Sequence, residues 1–159
     1  MNGQGVPGVG SNYAYVLDFD NIPAAAGAVP GSQEKQITID DKNFEMISRM
    51  FHAELLADNA NVGRAGTVLP RDSVLNTAAA AIATELPTLN NVALEFKMNG
   101  TGQWQNSPMR ANHCTGDATR PPLMIPRVML PARSTIQVKA YNYTAYALKA
   151  QLVCEGVRR

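Results

Sequence analysis

The sequence predicts an all-β fold, an antiparallel sandwich or barrel built of short strands. Three observations predict it. Apolar residues alternate with period two in one segment after another. Turn chemistry separates those segments at regular spacing: Asp40-Asp41-Lys42-Asn43, Asn99-Gly100-Thr101-Gly102 and Pro131-Ala132-Arg133-Ser134. One segment alone carries a sustained four-residue period.

The elements follow in order. Residues 1–12, MNGQGVPGVGSN, carry no charged side chain and are rich in glycine. They are expected to form a flexible arm, and residues 13–159 a single domain. Val6, Pro7 and Val9 make the arm apolar enough to lie against a partner. Tyr13, Tyr15, Leu17 and Phe19 alternate with Ala14, Val16 and Asp18, which is a strand with an aromatic face. Residues 21–32 read as a loop. Gln36–Ile39 reads as a short strand with Ile37 and Ile39 on one face. The segment from Phe44 to Leu56 fits either period; the β surroundings favour a strand with a bulge. Residues 58–72 form a loop.

Val74, Ala78, Ile82 and Leu86 then recur every four residues. Asp72 or Ser73 can cap this helix and Pro87 ends it. Val92, Leu94, Phe96 and Met98 alternate as a strand, with a returning strand expected around Trp104. Residues 112–122 are a polar loop. Pro126 makes Leu123–Leu130 an edge or bent strand. Thr135–Ala140 is a strand with Ile136 and Val138 inward, and residues 141–144 turn the chain. The last strand spans residues 145–156, with Leu148, Ala150, Leu152 and Cys154 on one face.

A chain of 159 residues suits one domain, since single cores run to about 100–150 residues. Charged residues are 17% of the chain, below the average of about 25%. Interface cores are depleted in charge, so this composition points to a surface shared with neighbouring subunits. No run approaches the roughly 18 apolar residues of a membrane helix. A basic segment followed by an apolar one, as in a signal peptide, is not seen. Two cysteines, Cys114 and Cys154, do not make a disulfide framework.

The total charge of +1 conceals an asymmetry. Residues 1–96 carry 5 Lys/Arg and 11 Asp/Glu, net −6; residues 97–159 carry 9 and 2, net +7. Either the halves interleave and the charges mix, or an acidic edge of one copy meets a basic edge of the next. The second reading is preferred here. The basic residues are dispersed, which argues against a nucleic-acid partner.

The chemical motifs are weak. Gly3-Gln4-Gly5-Val6-Pro7-Gly8 spells G-x-G-x-x-G, but no strand can precede it, and Pro7 lacks a backbone donor. His52 and His113 have no histidine at metal-ligand spacing, so no metal, cofactor or catalytic residue is assigned. His113 and Cys114 are adjacent and point to opposite faces. Neither has the surroundings of a nucleophilic pair. Asp18 and Asp20 share a face and solvate a strand end. Asn99-Gly100-Thr101 and Asn142-Tyr143-Thr144 read as turns.

The C-terminal region carries a more specific pattern. Apolar residues with prolines are followed by Pro131, Arg133, Ser134, Ile136 and Val138. An Asn142-containing turn then leads to a last strand ending in Gly156 and basic residues. This resembles small accessory structural proteins of tailed bacteriophage virions. The resemblance implies a jelly-roll-like sandwich with no active site, assembled in many copies on a capsid, neck or tail. The expected partners are copies of itself and other virion proteins, with no small-molecule substrate and no membrane. The expected location is the virion, after synthesis in the host cytoplasm. Candidate contact residues are Gly5, Val6, Pro7, Val9, Trp104, Arg158 and Arg159. The alternative is a carbohydrate- or receptor-binding module, with Trp104, Tyr141, Tyr143 and Tyr146 as stacking surfaces. A cupin-like enzyme would need more clustered histidines than this chain has.

Overall fold

A computed structural model describes residues 10–60, 62–71, 87–99, 102–103, 107–116 and 123–159. The chain is mostly β and forms two antiparallel sheets. The strands are β1 (Ser11–Ile22), β2 (Gly31–Thr38), β3 (Phe44–Leu55), β4 (Val92–Met98), β5 (Gly102–Gln103), β6 (Met109–Arg110), β7 (Leu123–Leu130), β8 (Thr135–Asn142) and β9 (Leu148–Arg158). One sheet runs β1-β9-β3-β7. The other runs β2-β8-β4-β5, with β6 also on β4. Among the described residues, helix is limited to one turn, α1 (Ala111–Cys114), and a 3-10 turn at Leu89–Asn91. The predicted helix over residues 73–86 lies outside the described residues.

The pairing is nested. β1 pairs with β9, β2 with β8, β3 with β7 and β4 with β6. The chain is thus one long two-stranded ribbon. Two further pairings, β3 with β9 and β4 with β8, join the ribbon to itself.

The alternating apolar residues face a single core shared by both sheets. Phe19, Phe44, Met46, Phe51 and Leu152 come from one sheet; Val92, Leu94, Phe96, Ile136 and Val138 come from the other. Residues of opposite parity point outward, because successive side chains on a strand alternate faces. Gly156 is needed where β9 crosses β3. A Cβ there would stand 2.1 Å from the Glu45 carbonyl oxygen and 2.8 Å from the Phe44 ring.

Several boundaries differ from the sequence reading. β1 starts at Ser11, so the last two residues of the expected arm belong to the sheet; Ser11 pairs with Arg158. β2 starts at Gly31 because the polar run Ser32–Lys35 pairs with β8 along its length. An edge strand with one wet face needs few apolar residues. The return after β4 is split into β5 and β6. β8 continues through Tyr141 and Asn142, which were expected to turn. Both have partners on two sides, in β2 and β4. The ambiguous segment from Phe44 is a strand, and its register shifts between Met46 and Ser48, the bulge that was expected.

Candidate functional site

A polar cluster lies where β1 begins and β9 ends. Here the antiparallel pairing brings both ends of the described chain to one sheet end. Arg158 points inward from β9. Its guanidinium sits 3.6 Å from the centre of the Tyr13 ring and forms an ion pair with Asp40. Tyr13 packs edge-on against Tyr15, and Tyr15 against Phe44, each with centroids 4.9 Å apart. The Tyr15 hydroxyl accepts the Asp40 backbone N–H at 3.1 Å.

Arg159 completes the cluster. Its backbone N–H donates to the Asn43 carbonyl at 2.9 Å, and its Nε donates to Glu45 Oε2 at 2.6 Å. Arg127 Nη1 donates to the other Glu45 oxygen at 3.1 Å. The Arg159 hydrogen bond is the main cause that holds the Glu45 carboxyl below its ordinary pKa of 4.5. The two guanidinium charges add to it and partial burial opposes it. Such a carboxylate adds stability above its unfolded pKa and loses it as pH falls through the lower folded value. Urea midpoints measured from about pH 6 to about pH 3 should therefore fall more steeply for the native chain than for Glu45→Gln. Parallel curves would show that this carboxylate contributes nothing to acid stability.

Next to this cluster, on the outer face of the same sheet, lies a shallow groove of about 550 Å³. Asn12 and Ala14 of β1, Ile47 and Ser48 of β3, and Glu155 and Gly156 of β9 line it. The bulge in β3 and the small side chains of Ala14 and Ser48 create the depression. Ser48 Oγ donates to Glu155 Oε2 across it at 3.1 Å. Further along this face, Gln151 bonds Asp18 at 2.8 Å, and Glu54 lies 3.5 Å from His52 and 3.8 Å from Lys149.

On the other sheet, Tyr141 donates to Glu95 Oε2 at 2.7 Å, and Lys139 lies 5.0 Å over the Tyr141 ring. Desolvation first, then the Glu95 contact, push the Tyr141 phenol up to about 12. Arg110 stacks 4.3 Å over the exposed Tyr143 ring, and Tyr146 packs on the core. The aromatics considered for sugar stacking are thus already engaged, and Trp104 lies outside the described residues. In the core, Arg49 sits 4.5 Å over Phe96. Cys114 and Cys154 are free and buried, and burial pushes their thiols up to about 11 and about 12. At those values neither is a thiolate at neutral pH. His113 is exposed and Cys114 buried, but they lie in the helical turn α1, where a strand alternation or a polar loop was expected. Among the described residues, no three His, Cys, Asp or Glu side chains group as a metal site.

Of the expected contact residues, Arg158 and Arg159 come together and bond within the chain; Arg159 keeps 44% of its side chain exposed. Gly5, Val6, Pro7 and Val9 lie outside the described residues. The preferred reading of the charge asymmetry is corrected. Nested pairing sets N-terminal strands beside C-terminal ones, so the acidic and basic halves meet inside one chain. Asp40 pairs with Arg158, Glu45 with Arg127 and Arg159, and Glu54 with Lys149. Sequence reasoning missed Glu45 and the groove. The alternation of Phe44 and Met46 around Glu45 marked only an outward acid, and its two partners are remote in sequence. No family model, curated protein or solved structure matches this chain.

Proposed function

We propose that this chain is a non-enzymatic structural protein of a tailed-bacteriophage virion. It assembles in multiple copies and stabilises or bridges capsid, neck or tail subunits. The nested strand pairing is compatible with this reading, and the pattern from Pro131 to Gly156 carries it. A ribbon pairing first strand with last, and joined to itself through β3·β9 and β4·β8, supports a jelly-roll-like sandwich as the finer architecture proposed here. That architecture is common to viral capsid domains, lectins and cupins. Fold does not choose among them. The low charge content and the pattern from Pro131 to Gly156 favour the virion reading. In the fold, that pattern builds tight joints. Ser134 bonds the Pro131 carbonyl through its hydroxyl at 2.6 Å, and Asn142 is fully buried.

The test is association. In sedimentation velocity at micromolar concentration, the purified chain should form species several times its 17.1 kDa mass. It should also co-sediment with particles from a lysate of its phage. Deleting residues 1–9 leaves β1 whole, and should preserve the circular dichroism spectrum while weakening association at least about tenfold, some 1.4 kcal/mol. A chain that stays monomeric and binds no particle would overturn the reading.

A further inference from the structure

We propose that the groove on the outer face of β1, β9 and β3 receives residues 1–9 of a second copy of this chain. The inference rests on the multi-copy reading above and names the surface that assembly uses.

The groove suits an uncharged, partly apolar segment. No lysine or arginine lines it, and its one acid, Glu155, already accepts the Ser48 hydroxyl. Ala14 and Ile47 offer apolar contact. Residues 1–9 carry no charged side chain and include Val6, Pro7 and Val9.

The exit of the chain points to a second copy rather than to the same one. Gly10 lies so close to β9 that a Cβ there would stand 2.1 Å from Val157 Cγ1 and 2.5 Å from the Arg158 carbonyl oxygen. That contact keeps the chain against the end of β9 as it leaves β1. The groove lies behind this point, at residues 12–14, so filling it from the same chain would need a reversal of direction just before Gly10. Nine extended residues reach about 30 Å, enough to cross to a neighbour. Two copies exchanging these segments about a two-fold axis would each fill the other's groove.

The strand beside the groove is also a sheet edge that is unguarded over its first half, before Asp18 and Asp20. Edge strands are normally protected by charge or proline. β2 carries Glu34 and Lys35, and β7 carries Pro126 and Arg127. Ser11–Leu17 of β1 has neither, and among the described residues its far edge pairs with no strand. A segment that reaches the groove over this edge can also bond its free backbone groups on the way.

Disulfide trapping tests this. Full-length chains carrying Val6→Cys are mixed with differently tagged chains carrying Ala14→Cys, then oxidised mildly. Ala14 is exposed, and the native cysteines are buried and do not compete. A cross-linked dimer of the two tags is expected. It should form at least ten times more than with Val29→Cys, an exposed position in the loop after β1. Wild-type multimers without this link, or with equal linking to position 29, would overturn the groove while leaving the multi-copy reading intact. The same holds if the link forms only within one chain carrying both substitutions. A wild-type chain that stays monomeric would overturn both.

Discussion

Asn142→Ala is expected to destabilise the fold by roughly 3–5 kcal/mol, because it orphans several buried polar groups at once. Asn142 is fully buried at the end of β8. Its Nδ2 donates to the carbonyls of Pro23 at 3.0 Å and Tyr146 at 2.7 Å, and at 3.4 Å to that of Ile22. Its Oδ1 accepts the Thr144 N–H at 2.9 Å and the Thr144 hydroxyl at 2.7 Å. One side chain therefore ties together the end of β1, the end of β8 and the turn into β9. Alanine removes every one of these bonds and admits no ready replacement. Asn142→Asp keeps the shape but sets a carboxylate against carbonyls, so it should cost at least as much. In urea denaturation the midpoint should fall while the slope stays constant. The melting temperature should drop by on the order of 10 °C. A loss below about 1 kcal/mol for both variants would show that the amide network is dispensable.

Phe51→Ala should cost about 3–5 kcal/mol for a different reason, the cavity it leaves. Phe51 has no exposed surface and stands in the centre of β3, in register with Leu152 on β9. It faces the core to which the other sheet contributes Phe96 and Val138. Interiors are close-packed, so neighbours on two sheets cannot relax enough to fill the space. Phe51→Leu keeps most of the volume and should cost less than about 1.5 kcal/mol. Equal losses for the two variants would argue against a packing role. The same denaturation experiment separates them.

Strand faces were legible because period two is a local property. Leu17 and Phe19, Ile136 and Val138, and Leu148 to Cys154 point inward as their alternation requires. The bulge after Met46 was legible as a conflict of periods within one segment. Strand ends were less so. Gly31–Lys35 and Tyr141–Asn142 pair only because remote strands lie alongside them. Their own residues are polar or turn-forming. The contact residues divide in the same way. Arg158 and Arg159 stood out as terminal charges, but their partners Asp40 and Glu45 lie more than a hundred positions away, and no spacing rule connects them. The groove follows from a bulge in β3 and from residues on three different strands, and no single stretch of sequence contains it.

The net charge of each half was also plain in the sequence, while its meaning was not. Counting alone left open whether the opposite charges meet within a chain or between copies. The order of pairing brings several of them together within one chain, as with Asp40 and Arg158, Glu45 and Arg159, and Glu54 and Lys149. By itself the sequence determined the inward faces of the main strands and several of the turns between them, through local alternation and backbone preference. Only the tertiary structure decided which strands are neighbours. Hydrogen-bond ladders between distant segments depend on burying one shared core, and that is a property of the whole chain.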